Sequence, residues 1–367
     1  VRPEGLFPRS DMRRRTRVIH LGRVRIGGEH PVVVQGMTKT HTSDVAATVE
    51  QIRQMAARGC EVVRVAVPRE EDARAVADIK KAIPRLPLVA DVHFDHRLAV
   101  LALEAGADGV RINPGNMRDL DAVAEVVRVA AACDACIRIG VNSGSVRPRG
   151  RPDDAPDVDD DLAELMAGRA LEYLDFVECQ GFGNVKLSLK ASDVPTTIRA
   201  CRLAAERCDC PFHLGITAAG PPRTSLVRSA VGMGVLLAEG IGDTVRVSMT
   251  GSPVEEIAAA YEILEVLDLR KRTRPSIVSC PTCGRCEIDL VKVVAEVERR
   301  MPTDAPPVTI AVMGCVVNGP GEAADADVGI AGGKGFAFLF RKGEKVRRVD
   351  ETEVVNVLID EVMKLKR

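Results

Sequence analysis

Three cysteines fall within seven positions in SCPTCGRCEID, residues 279–289, and a fourth stands in MGCVVNGPGEA further on. Cys280 and Cys283 form a C-x2-C knuckle, the spacing that lets two thiolates grip one metal centre from a tight turn, and Pro281 and Gly284 favour that turn. A zinc ribbon needs a second knuckle, and none follows. Instead Cys315 is joined seven residues later by Glu322, in a loop that Asn318, Gly319, Pro320 and Gly321 turn sharply. Three thiolates and a carboxylate make a poor structural zinc site and a plausible iron-sulfur site with one chemically different iron, because carboxylate oxygen is harder and more exchangeable than thiolate. Cys286 competes for the fourth position, since C-x2-C-x2-C has ferredoxin-like spacing. It also opens the apolar-periodic run EIDLVKVVAEV, where it would face helix packing, so Glu322 is preferred.

A second set of residues is cationic. Arg64, Arg111, Arg138, Lys190 and Arg246 each sit within or at the end of a short β-branched run. An arginine in such a run is costly to bury alone, so a carboxylate or a bound anion must neutralise it. Internal ion pairs could account for one or two of the five. Convergence of all five fits an anionic ligand with more than one phosphate group, whose oxygens match the guanidinium fork. Gln35, Asn113, Asn142, Thr217 and Ser248 add neutral hydrogen-bonding groups to the same positions. Asp91, His93, Asp95 and His96 in DVHFDH raise a rival, a catalytic metal of the hydrolase kind. No third cluster of ligands supports it, and hydrogen bonding of Asp91 and His93 to the ligand is preferred.

The remaining cysteines, Cys60, Cys133, Cys136, Cys179, Cys201, Cys208 and Cys210, lie in or beside apolar segments and are expected to act as small hydrophobes. Lys and Arg total 51 against 52 Asp and Glu, so no global attraction to nucleic acid or to an anionic membrane is expected. No run of about 18 apolar residues exists and no signal pattern opens the chain, so a cytoplasmic protein with reduced thiols is expected. Residues 1–11, ahead of Met12, read as an extension outside the fold.

These groups need elements to hold them. Strand-like runs at 31–37, 61–67, 87–93, 109–113, 136–142, 185–190, 212–217 and 244–249 alternate with helix-length amphipathic stretches. Ser43 or Asp44 caps the first helix, and Ser252 with Pro253 opens the last. Eight such units predict a (β/α)8 TIM barrel over 1–270, with the cations at the C-terminal strand ends where barrel enzymes keep their active sites. PRGRPDDAPDVDDD, residues 148–161, reads as a solvated loop, and the GxG in VGMGVLLAEG as helix packing. After RKRTRPS a small α+β domain is predicted over 271–367: a helix at about 286–300, a strand at 308–313, a hairpin over 335–349 and a closing helix.

The segments QGMTKT, VRVAV, GVRINPGN, IRIGVNSGS, KASDV, HLGIT, EGIGDTVRVS, CPTCGR and GCVVNGPGEA together resemble the bacterial 4-hydroxy-3-methylbut-2-enyl diphosphate synthase family over nearly the whole chain. The resemblance implies a TIM barrel followed by a 4Fe-4S domain, in a homodimer where one subunit's cluster covers the other's barrel mouth. It implies cluster ligands at Cys280, Cys283, Cys315 and Glu322, with Cys286 a bystander, and phosphate contacts at Arg64, Arg111, Arg138, Asn142, Lys190, Arg246 and Ser248. The implied reaction is reductive opening of 2-C-methyl-D-erythritol 2,4-cyclodiphosphate with loss of a hydroxyl as water, using electrons from ferredoxin or flavodoxin. One position departs: the family's HLGITEAG reads HLGITAAG, so Ala218 stands where a glutamate is expected. General acid-base help is typically worth about 10² to 10⁴ in rate, so impaired turnover is expected. The alternatives are a non-catalytic iron-sulfur redox sensor and a metal-dependent barrel hydrolase.

Overall fold

The computed structural model describes residues 13–117, 119–146, 161–217, 220–302 and 304–366. The extension ahead of Met12, most of the 148–161 loop and Ala218 lie outside the described residues. The chain divides into two compact units, Val1–Arg270 and Lys271–Arg367.

In the first unit a small antiparallel hairpin, β1 (Ile19–Leu21) and β2 (Val24–Ile26), precedes the barrel. The barrel strands are β3 (Val33–Met37), β4 (Val62–Ala66), β5 (Leu88–Asp91), β6 (Gly109–Ile112), β7 (Cys136–Asn142), β8 (Val185–Lys190), β9 (His213–Leu214) and β10 (Thr244–Val245). They form one parallel sheet in the order β8-β7-β6-β5-β4-β3-β10-β9, and a bridge between Leu187 and Phe212 brings its two ends together into a nearly closed eight-stranded barrel. The last two strands are shorter than the runs 212–217 and 244–249 predict. The chains still run side by side there, with Arg246 N–H donating to Leu214 C=O at 3.0 Å.

Helices α1 (Val45–Ala57), α2 (Glu70–Ala82), α3 (His96–Glu104), α4 (Leu120–Ala132), α5 (Ser143–Val146), α6 (Leu162–Cys179), α7 (Val194–Ala205), α8 (Pro222–Ala238) and α9 (Pro253–Val266) follow the strands. Their starts obey local chemistry. Asp44, Asp95, Asp119, Asp161, Asp193 and Ser252 each accept a hydrogen bond from an N–H of the first turn, satisfying donors that have no partner inside the helix. The core between strands and helices is aliphatic, as Val63, Val65, Ala90, Ile112, Ile139 and Leu187 illustrate, all fully buried. At the N-terminal end of the barrel, Ile19, Leu21 and Ile26 of the hairpin pack on Val33, Val62, Val89 and Cys136 and form a separate apolar plug. That hairpin has no counterpart in the predicted elements, because IHLGRVRI is a short run interrupted by charge.

In the second unit, β11 (Ser276–Ser279), α10 (Leu290–Arg300), β12 (Thr309–Met313), α11 (Gly319–Glu322), β13 (Val328–Gly333), β14 (Phe336–Arg341), β15 (Glu344–Asp350) and α12 (Val354–Lys364) follow in order. The five strands form one sheet, parallel through β11-β12-β13 and antiparallel through β13-β14-β15. Here β11 and β13 are additions to the predicted elements. SIVS is too short, and VGIAGG too rich in glycine, to stand out as strands. The first helix starts at Leu290 with Asp289 as its cap, so Cys286 lies ahead of it rather than inside it.

Candidate functional site

The pleat explains how the cations of the first unit meet. Asp91, Arg111 and Arg138 are register partners across β5, β6 and β7, so all three point to the same side at the same level. A cavity of about 210 Å³ is lined there by Arg64, Asp91, His93, Arg111, Arg138, Gly140, Asn142, Ser188, Lys190, Ile216, Thr217, Arg246 and Ser248. The sequence-predicted cations are brought together at it, with Asn142, Thr217, Ser248, Asp91 and His93. Gln35 and Asn113 are not among the lining residues. Gln35 is buried and accepts from Arg138 Nη1 at 3.3 Å, and Asn113 accepts from Gly115 N–H at 3.1 Å.

Two glycines give the cations room. A Cβ at Gly140 would stand 2.4 Å from Arg111 Nε, and one at Gly215 would stand 2.6 Å from Lys190 Nζ. Sequence reasoning passed over both, and over Ser188. It also passed over Glu256, a buried carboxylate 3.6 Å from Arg246 and 3.0 Å from Lys39. The signal for Glu256 was there: it shares with Pro253, Ile257 and Ala260 the face of α9 that is buried.

Ion pairing is partial. Asp91 lies 3.9 Å from Arg64, 3.6 Å from Arg111 and 4.0 Å from Arg138, so one carboxylate is spread over three guanidinium groups without a close hydrogen bond to any. Arg138 Nε, Arg246 Nε and Asp91 Oδ1 are buried without a hydrogen-bond partner among the described residues. Burial pushes the Asp91 carboxyl up, but Arg64, His93, Arg111 and Arg138 outweigh it and hold it well below the usual carboxylate range. Burial, and then Arg138, Arg64, Arg246 and Arg111, push the Lys190 pKa well below that of an ordinary lysine. Arg246 is lowered to about 10, by burial and then by Arg64. The field is that of a cation cluster that Asp91 and Glu256 neutralise only in part.

The DVHFDH stretch does not form a metal site. Arg111 Nη1 lies 2.9 Å from His93 Nε2, Asp95 caps α3, and His96 lies 3.2 Å from Glu125. A divalent cation at Asp91 would face three guanidinium groups. Among the described residues no three His, Cys, Asp or Glu side chains are grouped to hold a single metal ion.

In the second unit the cysteine-bearing loops leave adjacent parallel strands at matching levels. Ser279 and Val312 are register partners in β11 and β12, so Cys280 and the Gly314-Cys315 pair emerge side by side. Gly314 N–H donates to Cys280 Sγ at 3.3 Å. Thr282 inside the C-x2-C turn adopts a φ of +51°, a region that β-branched residues avoid, so the turn is held against a local cost. The Cys283 thiol is pushed down by the backbone N–H and side chain of Arg285, and the Cys315 thiol by the backbone N–H groups of Asn318 and Val317. Both shifts favour the thiolate, the form that binds metal. Cys286 Sγ instead donates to Ile288 C=O at 3.2 Å. Glu322 is exposed at the end of α11. Donors of a multi-iron cluster each bind a different iron, so a spread set of this kind fits a cluster where it would not fit one ion.

Of the other cysteines, Cys60, Cys136, Cys201 and Cys210 are buried as expected, whereas Cys133 and Cys179 are exposed. Those two stand at the C-terminal ends of α4 and α6, where the helix surface meets solvent. VGMGVLLAEG lies largely in α8, where Gly232 packs against Ile216 and Val194.

Residues 16–261 match the GcpE TIM-barrel domain family, and residues 276–364 match the GcpE protein C-terminal domain family. The chain is 52% identical over 346 residues to the 4-hydroxy-3-methylbut-2-en-1-yl diphosphate synthase (flavodoxin) of Nitratidesulfovibrio vulgaris, covering 94% of this chain and 88% of the relative. It is 49% identical to the enzyme of the same name from Geobacter sulfurreducens, covering 96% and 99%. The Aquifex aeolicus enzyme of that name is 48% identical, covering 97% and 98%. Among solved structures, the dihydropteroate synthase of Thermus thermophilus is 16% identical with a TM-score of 0.49, covering 69% of this chain and 98% of that one.

Proposed function

The chain belongs to the GcpE family, and from that membership we propose that it is a flavodoxin-dependent oxidoreductase that converts 2-C-methyl-D-erythritol 2,4-cyclodiphosphate to 4-hydroxy-3-methylbut-2-enyl diphosphate. The reaction consumes two electrons and two protons and releases one water. The observation that carries the reading is the cavity, where five cations face one lining carboxylate, Asp91, with Glu256 buried 3.6 Å from Arg246, and where buried guanidinium atoms lack hydrogen-bond partners among the described residues. Arg64, Arg111, Arg138, Lys190 and Arg246 neutralise and orient the diphosphate, with Asn142 and Ser248 supplying neutral hydrogen bonds. A sensor has no need of such a pocket, and the environment of Asp91 argues against a metal-dependent hydrolase.

Cys280, Cys283, Cys315 and Glu322 are the residues that would hold a 4Fe-4S cluster, and the lowered thiol pKa values and the strained knuckle turn support that donor set. When bound, such a cluster supplies single electrons and one iron with an exchangeable ligand. Glu322, exposed and on a short helix, is the donor free to exchange. With alanine at 218, the cavity side chains able to deliver protons are His93 and Lys190, whose Nζ holds its proton more loosely than an ordinary lysine. The homodimer implied for the family belongs to this proposal. The apolar groove between α8 and α9, lined by Leu226, Ala230, Gly234, Ala259, Ile263 and Val266, supports it.

Anaerobic reconstitution followed by turnover of the cyclic diphosphate with a chemical reductant tests the reading. About four irons and four sulfides per chain are expected, and zinc alone would refute it. Ala218→Glu is expected to raise the rate by about 10² or more. An active parent chain that glutamate leaves unchanged would move proton delivery elsewhere, and two inactive chains would overturn the substrate.

A further inference from the structure

We propose that the open face of β14 and β15 is the docking surface for an acidic flavodoxin, a proposal that rests on the electron-accepting function above. The sheet of the second unit has two unlike faces. On one, Ala337, Leu339 and Val349 join a core with Val293 and Val297 of α10 and Leu358 of α12. On the other, Cys280 and Phe338 both pack against a patch of Ala311, Met313, Ala323, Ala326, Ala331 and Phe340.

Beyond that patch the second face is uncovered and carries an aromatic pair. Phe336 and Phe338 meet edge to face with centroids 5.1 Å apart, and both are only half-buried. Gly333 permits this, because a Cβ there would stand 2.5 Å from the Phe336 ring. Lys345 Nζ lies 3.3 Å from the Phe338 centroid, and the Arg348 guanidinium 4.0 Å from that of Phe336. Both cations are exposed, and Arg348 also acts on the Asp350 carboxyl, whose pKa it helps to lower. The hairpin as a whole carries Lys342, Lys345, Arg347 and Arg348 against Glu344 and Asp350, while its fifth cation, Arg341, is paired with Glu361 of α12.

A half-buried aromatic pair capped by two exposed cations is the anatomy of a transient interface for an acidic partner. The charges steer the encounter, and the rings supply the dry contact. Charge on β15 also guards an exposed sheet edge against strand addition. Edge protection would not require two aromatic rings beneath the cations, one of them on the patch that also seats Cys280. Each encounter moves one electron from the partner's reduced flavin to this chain, and two encounters supply the pair that the reaction consumes. No further reductant is needed.

The test loads the full chain with iron and sulfide and mixes it anaerobically with a purified, photoreduced flavodoxin. Loss of visible absorbance reports electron gain, and calorimetric titration at low and high salt reports binding. Lys345→Glu/Arg348→Glu is expected to weaken flavodoxin binding by about tenfold or more and to flatten its salt dependence. Reduction by flavodoxin should slow in step, while reduction by methyl viologen stays within about twofold of the parent. Arg348→Lys, which keeps the charge, should behave like the parent. Unchanged flavodoxin affinity, or an equal loss with viologen and flavodoxin, overturns the docking surface. A parent chain reduced by neither donor overturns instead the electron-accepting function on which it rests.

Discussion

Lys186 illustrates how much an unpartnered charge inside a barrel costs. It is 1% exposed, its Nζ has no hydrogen-bond partner among the described residues, and Arg138 is its register partner on β7. Burial drives its pKa from 10.5 to about 8, with Arg138 and Arg64 adding to the effect against Cys136 and Asp243. That depression corresponds to roughly 3 kcal/mol. Below about 8 the folded and unfolded chains both hold the proton, and the folded chain bears the whole cost; between about 8 and 10.5 the unfolded chain keeps a proton that the folded chain has released. Stability therefore rises with pH across that window. Lys186→Met is expected to raise the unfolding free energy by about 2 to 3 kcal/mol near neutral pH, a gain that shrinks toward about pH 10. Urea denaturation at both values checks it, and an equal gain at both would refute the cause.

At the level of elements, adjacent parallel strands deliver loops to the same place, and small residues let the loops close. Gly314 follows β12, donates its N–H to Cys280 Sγ, and leaves the space in which a Cβ would stand 2.4 Å from Cys286 Sγ. Gly314→Ala is therefore expected to lower iron retention after reconstitution severalfold while leaving the far-ultraviolet circular dichroism unchanged. Removing the obstructing sulfur as well, in Gly314→Ala/Cys286→Ala, should restore retention, because the two sites share one space. Cys286→Ala alone should retain its iron, and retention that fails in the double variant would contradict the steric account. In the barrel, Gly140 and Gly215 do for Arg111 and Lys190 what Gly314 does for the cysteines.

On the scale of the whole molecule, the two units have separate apolar cores, one around the barrel strands and one around β12, β13, α10 and α12. Calorimetry is expected to resolve two transitions, with pyrophosphate raising only the barrel's and iron-sulfur loading only the other. A single transition that both ligands shift equally would show one cooperative unit. Much of this was legible beforehand, because its causes are local. Alternating β-branched runs and capped amphipathic stretches define barrel units, Asp44 and Ser252 cap where their side chains can reach the first turn, and a C-x2-C knuckle carries its own spacing. What stayed hidden depends on register and closure. The strand alternation put Arg64, Arg111, Arg138, Lys190 and Arg246 on the strands, but which carboxylate they share follows from the pairing that sets Asp91 level with Arg111. Gln35 was placed with the ligand from its strand position, yet the barrel turns it onto Arg138. Glu256, in the first turn of α9, comes within 3.6 Å of Arg246 only once the chain turns back after β10. The sequence by itself determined which chemistries the chain could host, since residue type and spacing along one strand or turn are local properties. Tertiary structure alone decided which charges face one another, because that requires strands far apart in sequence to close into one ring.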